Sequence, residues 1–341
     1  MFDFFFIIEK LILISAVLGI TLFIAAYSTL AERKLAAFFQ DRIGPDRAGP
    51  FGLLQPLADG LKFLFKEAII PAKADRFLFV LGPSLSMLAA CMACAVIPWG
   101  PDLMLFGRTV ALQITDLSVG LLYLFGLVSF GVYGVMIGGW ASNNKYSLLS
   151  TIRASSQMIS YELAMGLSLI ALVLTTGTLS IREIVLGQPG WHWNILAQPL
   201  GFMIFIVCAF AETNRVPFDL PECETELVGG YHTEYSGMQL GFYLFAEYIN
   251  MFISSAVMTC LYFGGFQMPF IASLGLPQNV VALFGVVFFF VKILMFLFLF
   301  IWIRWTLPRF RYDQLMRLGW TGLIPLAIIN LLATAVFQLC N

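Results

Sequence analysis

VVALFGVVFFFVKILMFLFLFIWI, residues 280–303, holds a single charged side chain, Lys292. Crossing the hydrocarbon core of a bilayer takes about 20 mostly apolar residues in a helix. The stretch is long enough, and it lacks the two-residue alternation of a barrel strand. Runs of the same character recur at about 11–31, 77–98, 117–139, 161–179, 194–211, 241–263 and 319–339. Together they predict an all-α integral membrane protein with eight transmembrane helices. The composition agrees: 60% of the 341 residues are hydrophobic, 11% are charged, and 34 Phe stand against 19 Lys+Arg. With a mean hydropathy of +0.88, much of the chain needs lipid as its solvent. The first run follows Glu9 and Lys10 but is too long for the apolar region of a signal peptide, so a spanning helix is expected there. No linker, charged tail or repeat interrupts the sequence, and a single membrane domain over 1–341 is the simplest organisation.

Orientation follows from the bases. The segments after the first, third, fifth and seventh runs carry 15 of the 19 Lys+Arg; the opposite side carries only Lys10, Arg108 and Arg182. By the positive-inside rule these segments face the cytoplasm (or matrix) and both termini lie outside. The net charge of −1 says little about partners, because its distribution matters and its sum does not.

Several chemistries are excluded. His192 and His232 both fall in loops, whereas bis-His haem ligation needs paired histidines on facing helices. Cys91 and Cys94 form a CxxC, but mid-helix in apolar surroundings with no second pair, which reads as packing. No Walker motif and no GxGxxG follows a strand, so no nucleotide site is expected. The chain is expected to carry no metal and no electron cofactor of its own.

Three groups of polar residues remain. The first inner loop, 32–76, opens ERKLAAFFQDRIGPDRAGP and continues into an amphipathic stretch at about 53–67. There Leu54, Leu57, Leu61, Leu64 and Phe65 share one helical face, opposite Gln55, Asp59, Lys62 and Lys66. Such a helix lies in the membrane interface; periodicity alone leaves open whether it is an anchor or flanks a lateral doorway. The charges Glu32, Arg33, Lys34, Arg42 and Arg47 come just after the first span, among the Gly-Pro turns at 44–45 and 49–50. The second group comprises ionisable residues in or at the ends of spans: Glu162 beside Tyr161, Glu212, Glu247 and Lys292. Intramembrane charge costs a few kcal/mol or more, so partners or water must hold it, either as buried ion pairs or as a hydrated proton path.

The third is an acidic inner loop, 212–240. Glu212, Asp219, Glu222, Glu224, Glu226 and Glu234 face one base, Arg215. Glu222, Glu224 and Glu226 alternate, so an extended chain puts all three on one side. Crowded like charges are strongly coupled and exchange protons readily. A solvated loop or a docking face for a basic partner is the plainer reading. The apolar flanks Val216-Pro217-Phe218, Leu220-Pro221 and Leu227-Val228 favour partial burial.

The stretches AERKLAAFFQDRIGPDRAGPFGLLQPLADGLKFLFKE, SYELAMG, AETNRVPFDLPECETELVGGYHTEYSGM and WIRWTLPRFRYDQLM closely resemble one family over essentially the whole chain. It is the family of the H subunit (mitochondrial subunit 1) of proton-pumping NADH:quinone oxidoreductase, respiratory complex I. The resemblance implies a membrane component that helps enclose the quinone tunnel and couples quinone reduction to proton translocation. It implies quinone (ubiquinone) as substrate, with FMN and iron–sulfur clusters held by partner subunits. The implied partners are hydrophilic quinone-site subunits above, small membrane and antiporter-like subunits beside, and phospholipids, with no nucleic acid. Glu32, Arg33, Arg42, Asp59 and Arg304 fall in motifs that line the chamber or its entrance in that family, and 53–67 resembles its entrance helix. Glu162, Glu212 and Glu247 resemble its proton-path acids. Asp219, Glu222, Glu224 and Glu226 resemble its coupling loop, and Tyr161, Glu234 and Lys292 are further candidates.

The expected site is the bacterial inner membrane, with the mitochondrial inner membrane as the alternative. Three other readings stay open. Related subunits anchor energy-converting hydrogenases; a free-standing proton-coupled transporter lacks its expected inverted repeat; and a purely structural anchor has little use for intramembrane acids.

Overall fold

The computed structural model describes residues 4–105, 107–221, 228–269 and 277–340. Twelve α-helices account for most of these: α1 Phe4–Phe39, α2 Gln55–Phe65, α3 Arg76–Ala93, α4 Gly120–Ala141, α5 Lys145–Thr176, α6 Ile181–Leu186, α7 Asn194–Ala197, α8 Pro199–Glu212, α9 Gly237–Tyr262, α10 Gln278–Thr306, α11 Tyr312–Arg317 and α12 Ile324–Cys340. A two-stranded hairpin, β1 Leu103–Leu105 and β2 Arg108–Val110, lies at one end. It is held by Asn279 at the start of α10, whose amide accepts from Met104 N (2.8 Å) and donates to Met104 O (2.9 Å). The bundle thus has a hairpin end and, opposite it, an end that carries Glu32.

By length and composition, seven helical segments among the described residues can cross a membrane: 6–39, 76–96, 120–141, 145–176, 237–262, 278–306 and 312–340. The chain is thus a mostly helical, multi-pass membrane protein. The expected run 194–211 forms two helices instead of one, α7 and the 14-residue α8. Pro199 causes the break, since its ring drives the preceding residue out of the helical region; Gln198 sits at φ −131°, ψ 57°. At 1.5 Å per residue α8 is about 21 Å long, short of a hydrocarbon core of roughly 30 Å.

Helix α5 starts sixteen residues before the expected run at 161. Asn144 caps it by accepting from Tyr146 N (2.9 Å), and Gly177, at φ +73°, ends it. Its added turns are rich in Ser and Thr, which lowers hydropathy without breaking the helix. Thr151, Ser155 and Ser160 each donate back to the carbonyl four residues earlier, so they need no water. Gln157 then ties the helix to the last turn of α8 and to the chain after it, donating to Ala211 O and Phe218 O at 2.8 Å each.

Helices α3 and α4 approach most closely, through small residues that let backbones meet. A Cβ added to Gly82 would lie 2.7 Å from Gly138 Cα. Tyr243 of α9 donates to Gly134 O (3.0 Å). Tyr235 shares one proton between Phe79 O and Gly138 O (3.0 and 3.1 Å), and burial pushes its phenol pKa up, so it remains a donor. Between α11 and α12 the helix widens into a π turn, Leu318–Leu323. Pro325, which lacks an N–H for the carbonyl four residues back, follows directly.

Candidate functional site

Glu32 is 6% exposed near the end of α1. One carboxylate oxygen pairs with Arg304, in the last turn of α10. The other accepts from Tyr248 Oη of α9 at 2.8 Å and lies 3.4 Å from Arg215 Nη1. The Arg215 guanidinium stands 4.3 Å over the Tyr248 ring. A buried carboxylate thus gains three charge-assisted partners from three other segments, the arrangement needed to offset its desolvation. Arg33, the next residue, points away from Glu32 and pairs with Asp59 of α2 at 2.7 Å, with half of its side chain exposed. Gln55 donates to the same carboxylate (3.2 Å). Arg42 stands apart; its Nε donates to Gln40 at 2.8 Å on the exposed surface.

A cavity of about 70 Å³ lies between α3, α4, α5, α8 and α9. That is room for a few waters. Its polar lining includes Glu212, Asn214, Tyr231, Glu247, Asn250 and Ser86. Glu247 accepts from Tyr231 Oη at 3.1 Å. Glu162 does not line the cavity; its carboxylate accepts from Ser129 of α4. The two sites are joined by sequence neighbours. Asn214 lines the cavity while Arg215 reaches Glu32, and Glu247 lines the cavity while Tyr248 reaches Glu32.

Asp219 pairs with Arg309 at 2.6 Å, which ties the chain after α8 to the chain after α10. Glu234 accepts from Asn144 Nδ2 at 2.6 Å, at the start of α5. Tyr161 is fully buried and donates to Leu315 O at 3.0 Å, so its hydroxyl faces α11 and the cavity does not include it. Lys292 lies at the middle of α10 and donates to backbone carbonyls of the turn after α9. Glu222, Glu224 and Glu226 lie outside the described residues, as does Cys223. Among the described residues no group of three His, Cys, Asp or Glu could hold a metal ion. Thr21 Oγ1 lies 3.6 Å from the buried Cys94 Sγ, and both Cys91 and Cys94 are free thiols.

Comparison with known proteins decides the family. The NADH dehydrogenase family profile matches residues 12–335. The chain is 68% identical over 329 residues to an H subunit of the NADH-quinone oxidoreductase of Cytophaga hutchinsonii, covering 96% of each. It is 59% identical over 335 residues to the corresponding protein of Flavobacterium psychrophilum, covering 97% of each. With that of Leptospira biflexa identity is 50% over 322 residues, 92% of this chain and 90% of the relative. The chain belongs to the H-subunit family of NADH-quinone oxidoreductase.

As a member of that family, it is a membrane component of the NADH:quinone oxidoreductase, and other subunits of that complex are its partners. In the sequence Arg215 stands out only as a lone base among acids, and Tyr248, Asn214, Tyr231, Ser129 and Arg309 do not stand out at all. For Arg215 a signal existed, since one base among six acids has a carboxylate to find. For Tyr248 the signal was its place next to an intramembrane Glu. Ser129 and Arg309 become visible only once the helices are packed.

Proposed function

We propose that this chain crosses the membrane eight times, α8 included, with both termini outside and the Glu32 end facing the cytoplasm of a bacterium. It helps form the quinone tunnel and couples quinone reduction to proton translocation. Quinone enters from the bilayer beside α2, whose exposed Leu57, Leu61, Leu64 and Phe65 meet lipid while Asp59 is held by Arg33. Glu32, Arg33, Asp59 and Arg304 border the chamber or its entrance, with Arg42 on its approach. FMN and iron–sulfur clusters belong to partner subunits, which reduce the headgroup. Hydrophilic subunits cover the Glu32 end, small and antiporter-like subunits flank the bundle, and phospholipids fill the remaining surface.

One observation carries the coupling: two pairs of consecutive residues, 214–215 and 247–248, each put one side chain on the Glu32 cluster and one in the cavity. Reduction of a quinone takes two electrons and two protons. The change in charge and proton demand beside the cluster pulls on Glu32, Arg215 and Tyr248. Because Arg215 and Tyr248 share backbone with Asn214 and Glu247, the cavity responds. Water in a cavity of that size, hydrogen-bonded by Glu212 and Glu247, is a path for a proton toward Glu162 and the neighbouring subunits. Asp219 and, by their resemblance to the family's coupling loop, the acids at 222, 224 and 226 supply the coupled carboxylates that link quinone chemistry to this path. Glu234 and Tyr161 hold the segments around them, and Lys292 stands apart from the carboxylates. The 68% identity to a NADH-quinone oxidoreductase subunit favours the quinone enzyme over a hydrogenase anchor or a free-standing transporter.

The test uses the assembled complex in membrane vesicles. Glu212→Gln and Glu247→Gln are expected to lower NADH-driven quinone reduction at least tenfold, with Glu162→Gln reducing protons moved per electron. Variants that co-purify with their partners yet keep both turnover and protons per electron would falsify the coupling role.

A further inference from the structure

Lys292 is the single charge in the stretch 280–303, and the coupling path makes no use of it. Its ammonium has three protons, and three backbone carbonyls receive them: Phe263 O at 2.6 Å, Gly265 O at 2.8 Å and Gln267 O at 3.2 Å. All three belong to the turn that follows α9. The rings of Phe288 and Trp193 flank the charge at 4.4 and 5.2 Å. Among the described residues, no carboxylate pairs with it.

A helix end leaves four carbonyls without partners in the helix, and within a membrane water cannot satisfy them. Here side chains from two segments bond carbonyls of the last turn. Gln188, after α6, donates to Cys260 O and Leu261 O at 3.0 and 3.3 Å, and its own oxygen accepts from Gly264 N at 3.0 Å. Asn194 of α7 donates to Leu261 O at 2.8 Å. Lys292, from α10, holds the carbonyls of the turn just beyond the helix, and a cation at a helix C-terminus is further favoured by the helix dipole. The turn itself has little room to adjust. Gly264 and Gly265 sit at φ +70° and +51°, and a Cβ on Gly265 would come within 2.9 Å of Val185.

We propose that Lys292 is a positioning residue: it pins the hairpin end of α9 and so sets the register at which that helix presents Glu247 to the cavity and Tyr248 to Glu32. Glu247 lies fifteen residues before Tyr262, about 22 Å along the axis. A helix is stiff along that axis, so the pin acts over the whole distance. A slip of one residue moves a side chain by about 1.5 Å and turns it by roughly 100°, enough to take Glu247 off the cavity and Tyr248 off Glu32. A relay role fits the site poorly, because carbonyl oxygens receive hydrogen bonds but do not carry a proton onward. The functional half of this proposal rests on the role given to Glu247; the mechanical half does not.

The two halves are separated by measuring amide exchange and coupling on the same assembled complex. In Lys292→Met, amides of residues 260–267 are expected to exchange at least tenfold faster. Quinone reduction should fall several-fold, with protons moved per electron unchanged in what remains. Gln188→Leu removes the neutral half of the same clamp and should give the same pattern without removing a charge; it decides the matter if Lys292→Met fails to assemble. Unchanged exchange in Lys292→Met, or in Gln188→Leu where only that variant assembles, overturns the pin. Loss of protons per electron in Lys292→Met, beside a normal Gln188→Leu, would make Lys292 a proton carrier instead. Faster exchange with full turnover would overturn the claim that the clamp sets the register of Glu247, whose own role is judged separately by Glu247→Gln.

Discussion

Glu32 shows how much one buried carboxylate can organise. It gathers Arg215, Tyr248 and Arg304 from chain positions 183, 216 and 272 residues away. Glu32→Gln keeps the shape but removes the charge that both guanidinium groups face. Breaking a buried pair in this way costs about 3–5 kcal/mol, so the thermal midpoint of the purified complex should drop clearly. Tyr248→Phe removes a single hydrogen bond to a charged group, worth about 1.5–3 kcal/mol, and leaves the ring under Arg215; its midpoint should fall less. A drop in Tyr248→Phe as large as in Glu32→Gln would mean that the hydroxyl, not the charge, holds the cluster. The Arg33–Asp59 pair is different because half of the Arg33 side chain is exposed. Solvent-screened pairs contribute about 0–1 kcal/mol, so Asp59→Asn should leave the midpoint in place while raising the KM for quinone several-fold. An unchanged KM would remove Asp59 from the entrance.

Among the elements, the tight meeting of α4 with Tyr243 of α9 makes the sharpest structural prediction. A Cβ on Gly138 would run into the Tyr243 hydroxyl, whereas one on Gly126, in the same helix, meets nothing within 4 Å. Gly138→Ala should therefore lower the amount of assembled complex in the membrane severalfold, and Gly126→Ala should not, as read by quantitative immunoblot of a tagged chain. Equal levels in the two variants would mean that the helices can move apart at little cost. The runs of apolar residues made the long helices legible from sequence, because lipid contact is a matter of composition. The early start of α5 was not legible, since its Ser and Thr look like a loop until their hydroxyls are seen to bond back into the helix. The break at Gln198 had its signal in Pro199, inside a run judged by hydropathy alone. For the candidate site, Glu32 and Arg304 were legible as motif residues. That they touch was not, because the contact depends on α1 and α10 lying side by side.

For the whole molecule, the bundle keeps its polar groups in separate layers. The Glu32 cluster is at one end, the cavity with Glu212 and Glu247 comes next, and Lys292 closes the far end of α9. The first two layers meet along the backbone at 214–215 and 247–248, where one residue of each pair faces the cluster and the other the cavity.

The shortness of α8 has an electrical consequence. In the orientation proposed above, with Pro199 placed at the outer boundary, a helix of about 21 Å in a hydrocarbon layer of roughly 30 Å would leave Glu212 about a third of the way in from the cytoplasmic side. A full elementary charge crossing 100 mV is worth about 2.3 kcal/mol, and a third of that drop is about 0.8 kcal/mol. On that placement the proton occupancy of the cavity would depend on membrane voltage as well as on quinone chemistry. Vesicles held at 0 and 100 mV by a potassium gradient should show different rates of quinone reduction, and the difference should shrink in Glu212→Gln. Equal voltage dependence in the two would place the carboxylate outside the field.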